Sequence, residues 1–173
     1  AILFTDIIRK RGNAYIEHLR HGQPPVLAFD YVVICDGTTL ERPVNYKLVQ
    51  VIDRRKKEHV KTDSLKRQAS DRRMLTKEYE NSVKRPIVVM DPRAGHGPGI
   101  GGSKMDSQIG IALNAGHPVY FIMFLTHPVP GQTIADVQKC QVHFLEQVAK
   151  RHPKAHQPAI IGNCQAGWAA ALI

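Results

Sequence analysis

The sequence predicts an α/β fold, a parallel sheet with helices on both faces, and three observations carry that expectation. Three short apolar runs, Pro86–Met90, Val119–Leu125 and Ala159-Ile160-Ile161, have strand length and, in the first, β-branched residues behind a flanking proline. Two longer segments between them, from about Lys104 to Asn114 and from Ile134 to Arg151, have apolar residues at helical spacing. Strands alternating with helices at this interval call for parallel pairing through right-handed crossovers.

The elements follow in order. Ile2, Leu3, Ile7, Ile8, Tyr15, Ile16 and Leu19 recur at roughly helical spacing, with Arg9, Lys10, Arg11 and Arg20 between them, and Gln23-Pro24-Pro25 ends that helix. Val26–Ile34 and Tyr46–Ile52 read as strands joined through Asp36-Gly37, with Pro43 at an edge or in the connection because it lacks a ladder donor. Residues 1–52 are therefore a lead-in of one helix and two strands. Residues 53–83 are dense in Lys and Arg and poor in apolar residues, which predicts a basic linker or a solvated helix. Residues 84–173 form the front part of the main α/β domain. In the long helix, Ile134, Val137, Val142, Leu145 and Val148 form the apolar stripe, with Asp136, Lys139 and Glu146 outside it.

Bulk properties narrow the classes. A length of 173 residues supports one domain with a sizeable core. No apolar run reaches the roughly 18 residues that a membrane span needs. Three cysteines, Cys35, Cys140 and Cys164, fit neither a disulfide framework nor a zinc site, so a reducing, cytoplasmic setting is expected and no metal. The net charge of +9 raises nucleic acid as a partner. The basic segment lacks interleaved aromatics and any nucleic-acid recognition motif, which counts against that partner; beside the linker reading this leaves a granule or anionic surface met through residues 53–85, an acidic partner or substrate steering. The chain reads as a fragment: it opens on Ala1 and stops at Ala169–Ile173 inside a helical pattern with no stop signal.

The chemistry concentrates in Ala159-Ile160-Ile161-Gly162-Asn163-Cys164-Gln165-Ala166-Gly167-Trp168. A strand ends, a nucleophilic residue sits among small ones, and a helix begins at once. This is the layout of the nucleophile elbow in α/β-hydrolases, with Cys in the place of Ser. Small residues at 162, 166 and 167 let strand and helix approach, and the helix N-terminus faces the thiol, a setting that suits negative charge. Cys164 is then the nucleophile and the Gln165 backbone N–H an oxyanion donor. The competing reading makes Cys164 a buried small hydrophobe, the commonest fate of a free cysteine. Cys35 and Cys140 lack such a setting and read as structural.

The run Met90-Asp91-Pro92-Arg93-Ala94-Gly95-His96-Gly97-Pro98-Gly99-Ile100-Gly101-Gly102 follows the first apolar strand, where such folds carry the second oxyanion donor. A backbone N–H near Arg93 or Ala94 is the candidate, with Gly95, His96 and Gly97 lining the substrate. Gly97-x-Gly99-x-x-Gly102 also matches the dinucleotide fingerprint, but it lies several residues past the strand and lacks the acidic partner on the next one. His117, His127, His152 and His156 default to solvated or capping roles.

These motifs resemble a bacterial family labelled poly(3-hydroxyalkanoate) synthetase-like. The likeness rests on Arg85–Gly102, Ala115-Gly116-His117-Pro118-Val119-Tyr120-Phe121, Pro130-Gly131-Gln132-Thr133 and Gly162–Trp168, with Phe29-Asp30-Tyr31 and Glu41–Tyr46 ahead of them. That family is similar in turn to the polyhydroxyalkanoate synthases, whose elbow is G-x-C-x-G-G; here Ala166 stands for the first paired glycine. The resemblance implies an α/β-hydrolase-like sheet incomplete at its C-terminus. It implies an acyltransferase that accepts a 3-hydroxyacyl group from a coenzyme A thioester onto Cys164, with no cofactor and with an Asp and a His supplied downstream. A thioesterase or esterase on the same scaffold, and a non-catalytic granule- or anionic-surface-binding protein, are the other two readings.

Overall fold

The computed structural model describes residues 2–21, 29–53, 83–92, 107–125 and 127–173. The described elements are α1 (Ile2–His21), β1 (Tyr31–Asp36), a 3-10 turn (Gly37–Thr39), β2 (Tyr46–Val51) and β3 (Ile87–Met90). They continue with α2 (Gln108–Asn114), β4 (Val119–Phe124), α3 (Ile134–Arg151), β5 (Ala159–Gly162) and α4 (Gln165–Ala171). The five strands form one sheet in the order β1-β2-β4-β3-β5. The expected parallel pairing holds for β3 with β4 and β3 with β5. β2 runs antiparallel to both β1 and β4, so the sheet is mixed. The antiparallel β1–β2 pair agrees with the turn expected at Asp36-Gly37, since a parallel pair needs a crossover of a dozen or more residues; the antiparallel pairing of β2 with β4 is what makes the main sheet mixed. Residues 31–51 thus contribute two strands to the same sheet as β3–β5.

The first strand ends later than its apolar run suggests. A shift of register between Val33 and Cys35 lets β1 continue past Ile34 to Asp36. The Asp36 carboxylate then caps the following turn, accepting from the Thr38 N–H at 3.0 Å, and pairs with Lys47 at 2.8 Å. The expected start at Val26 and the basic 53–83 stretch fall largely outside the described residues. α1 carries Leu3, Phe4, Ile7, Ile8, Tyr15 and Ile16 exposed to solvent. No helix among the described residues is long and apolar enough to cross a membrane.

Both sheet faces are covered. On one, α2 sets Ile109 and Leu113 against Val49, Val51, Val89, Val119 and Phe121. On the other, α3 and α4 set Val137, Cys140, Phe144, Val148, Ala166 and Ala169 against Tyr46, Leu48, Val88, Met90, Tyr120 and Ile122. β4 is buried on both sides, with Tyr120, Phe121 and Ile122 fully covered, which is why its sequence is an unbroken apolar run. Burying each such side chain stabilises the fold by about 1.5–3 kcal/mol.

The bounds of α3 match the expected Ile134–Arg151, but its inward face is rotated from the predicted stripe. Ile134 and Val142 are exposed, while Cys140 and Phe144 are buried. Asp136, expected outside, is buried as well. Two interactions draw it in. With Thr133 it forms a reciprocal capping box at the helix start, and the Arg42 guanidinium donates to both its carboxylate oxygens at 3.0 Å. Of the two roles expected for His152 the structure shows the capping one, at the end of α3, and the residue is buried, with its Nε2 2.8 Å from the Tyr120 hydroxyl.

The Arg42 guanidinium, then the Thr133 hydroxyl and N–H, hold the Asp136 carboxyl well below the usual carboxylate range. A depressed folded-state pKa gives stability that is complete above the unfolded value of about 3.9 and lost as pH falls toward the folded one. Asp136→Asn is therefore expected to lower the thermal midpoint at pH 7, with the gap to wild type narrowing steadily below about pH 4. A gap independent of pH in thermal melts contradicts the assigned ion pair.

Candidate active site

Open α/β sheets bind ligands beyond the carboxyl ends of the strands, in the crevice where the connections leaving two neighbouring strands diverge. The chain after β3 leads to α2 on one face and on toward β4, while the chain leaving β5 goes to α4 on the other face. The topology therefore points to the carboxyl ends of β3 and β5 for such a crevice. Cys164 stands at the β5 end of it, two residues past the strand.

The turn there is strained. Cys164 has φ 54° and ψ −126°, and it is the one non-glycine with positive φ among the described residues. Such a backbone costs about 1–3 kcal/mol and persists only where its surroundings hold it. The surroundings are β5, locked to β3 in register, and α4, whose Ala166 and Ala169 are buried in the core. The two meet at Gly162. A Cβ added there would lie 2.5 Å from the Ala166 carbonyl oxygen and 3.1 Å from the Gly167 Cα, so only glycine fits. With strand and helix this close, the single residue between Asn163 and Gln165 must reverse the chain.

The consequence for Cys164 is exposure. Cys164 is exposed, where Cys140 is buried and Cys35 half-buried, against the reading of a buried hydrophobe. Burial pushes the Cys140 thiol up to about 12, with Cys35 adding to the effect. Burial, then the charge of Asp36, raises Cys35. Neither is a thiolate near neutral pH. In the first turn of α4, the N–H groups of Ala166 and Gly167 donate to the carbonyls of Asn163 and Cys164. The Gln165 N–H has no hydrogen bond among the described residues and lies next to the thiol in the chain.

The remaining predicted site residues, Arg93, Ala94, Gly95, His96 and Gly97, lie outside the described residues. Their point of departure is described. Asp91 directly follows β3, is buried, and accepts from the Phe124 N–H at 3.1 Å, while its own N–H donates to the Ile122 carbonyl at 3.0 Å. Across the crevice, Asn163 Nδ2 donates to Gln108 Oε1 at 3.4 Å, joining the elbow to the first residue of α2. Sequence reading missed both. A carboxylate or amide beside a strand end gives no signal of burial or partner until the strand order is known. Among the described residues, no three His, Cys, Asp or Glu side chains are grouped to hold a metal ion.

Gly162→Ala is expected to destabilise the protein by about 1–3 kcal/mol, since backbone must move to admit the methyl group. Chemical denaturation checks it. An unchanged midpoint and slope would mean that strand and helix are not in contact at this point.

The comparisons with known proteins agree on kinship. A family model described as protein of unknown function, DUF3141, matches residues 1–173. An uncharacterized protein in the ackA 5' region of Rhizobium meliloti is 46% identical over 174 residues, covering 100% of this chain and 21% of its own length. The chain thus spans about a fifth of that relative. No solved structure matches. The chain belongs to the DUF3141 family.

Proposed function

We propose that the chain is the front part of an α/β-hydrolase-like catalytic domain, with Cys164 as its nucleophile, in an acyltransferase of polyhydroxyalkanoate-synthase type. The observation that carries this reading is the backbone of Cys164: strained, exposed, and held at a strand-to-helix turn by a glycine that nothing larger can replace. The strand order and the antiparallel β2 support the same reading, as does the position of Cys164 where the connections after β3 and β5 diverge.

In the proposed reaction, the Cys164 thiolate adds to the carbonyl carbon of a 3-hydroxyacyl-coenzyme A. The carbonyl oxygen takes the negative charge and is stabilised by the Gln165 N–H and by a second amide near Arg93 or Ala94. Collapse breaks the bond from carbon to the coenzyme sulfur, which leaves as a thiolate, and Cys164 holds the acyl group as a thioester. A hydroxyl then attacks this thioester, gives its proton to a base, and returns Cys164 as thiolate. The resemblance to the synthases puts that base and its acidic partner after the elbow. Transfer between two thiolates of similar basicity is nearly balanced in energy, which suits a cysteine to thioester donors. Residues 95–97 would line the acyl donor, and the basic 53–85 segment would face an anionic or granule surface.

The test is coenzyme A release from 3-hydroxybutyryl-coenzyme A by the intact protein. Cys164→Ala is expected to lower the rate at least about a thousandfold. Release at the wild-type rate in that variant contradicts the proposal. Free 3-hydroxy acid in place of polymer assigns the same site to a thioesterase.

A further inference from the structure

We propose that Trp168 is the specificity-determining wall beside Cys164: its indole takes the alkyl chain of the acyl group, so the favoured donor is a 3-hydroxyacyl thioester with a chain longer than 3-hydroxybutyryl. The inference rests on Cys164 as nucleophile and extends that reading to the part of the substrate that does not react.

Helix geometry brings the two residues together. Cys164 is the N-cap of α4, and Trp168 follows it by four residues, inside the helix. Residues four apart stand just over one turn apart, within about 40° around the axis and about 6 Å along it. Long side chains on a helix also lean back toward its N-terminus and cover the turn before their own Cα. For Trp168 that turn is the one that begins at Cys164.

The composition of α4 shows that the ring does not serve the core. The helix reads Gln-Ala-Gly-Trp-Ala-Ala-Ala, and the residues it buries are Ala166 and Ala169. Its one large side chain is turned away from them: Trp168 is 43% exposed and belongs to neither core cluster. An aromatic ring of this size offers a broad, rigid apolar face, and here it adjoins an exposed thiol.

The chemistry of the donor selects what that face meets. In coenzyme A the adenine ring lies at the far end of the pantetheine arm from the sulfur. The parts within a helical turn of Cys164 are therefore the acyl group and the first atoms of that arm, and of these the alkyl chain is the apolar one. The chain of 3-hydroxybutyryl ends one carbon past its hydroxyl, too short to cover the ring. Each further methylene laid on the indole leaves water for an apolar contact. Such binding away from the reacting carbon discriminates between donors through kcat/KM.

The test compares coenzyme A release from 3-hydroxydecanoyl- and 3-hydroxybutyryl-coenzyme A by the intact protein. Wild type is expected to favour the longer donor at least about tenfold in kcat/KM, and Trp168→Ala to bring that ratio to within about twofold of one. Trp168→Phe keeps a ring and is expected to lower the ratio about threefold; it decides the matter if the alanine variant does not fold. A wild type without the preference, or a ratio unchanged in the folded variants, overturns the proposal while leaving Cys164 as nucleophile. An equal loss for both donors assigns the indole to the coenzyme arm or to packing, and overturns it too. Release that survives Cys164→Ala removes the nucleophile itself, and this inference with it.

Discussion

The close approach of α4 to the end of β5 is the constraint on which the site depends. Gly162 gives up a side chain so that the Ala166 carbonyl oxygen can come within 2.5 Å of where its Cβ would stand, well inside van der Waals contact. That contact shortens the connection to Asn163 and Cys164 and forces the latter into a backbone that L-residues avoid. The strain is offset by the burial of Ala166 and Ala169 and by the ladder between β5 and β3. Exposure of the thiol follows from the same geometry: a residue at the apex of a reversed turn, above the sheet edge, has nowhere to bury its side chain.

The sheet supplies the frame for this turn. Because α2 and α4 lie on opposite faces, the elements that follow β3 and β5 diverge, and Cys164 stands at that end of the sheet. The two antiparallel strands complete the frame from the other side by burying β4. They are fastened at the same end of the sheet. Asn45 donates from its side chain to the Leu125 carbonyl at 2.7 Å and from its backbone to Gln132 Oε1 at 3.0 Å, and Arg42 reaches Asp136 beside them. The connections after β1 and β4 are thus held as a unit.

Much of this was legible in the residues. The bounds of α3, the apolar runs of β3 and β4 and the small residues around Cys164 gave strand, helix and elbow directly, because each depends on local sequence. What was not legible depends on partners far along the chain. Asp136 reads as a surface acid until Arg42, 94 residues away, is brought to it. The capping role of His152 was legible at the helix end, but its burial was not, since it depends on Tyr120 being brought to it. The antiparallel pairing of β2 with β4 follows from a position in the sheet that periodicity does not encode. The strand-to-helix turn at Cys164 was readable because it depends on a local spacing of small residues; the carboxylate of Asp91 was not, because its burial is a property of the assembled sheet.

The three cysteines separate along the same line. Cys140 is buried in the core and Cys35 is half-buried against it, and burial raises both thiols. Cys164 is the exposed one of the three. The most direct measurement is therefore to mix the intact protein with an acyl-coenzyme A, quench in acid, and locate the acyl mass by peptide mass spectrometry. The account predicts one acyl group, on the peptide that carries Cys164. An adduct on Cys35 or Cys140, or none while coenzyme A is released, would contradict it.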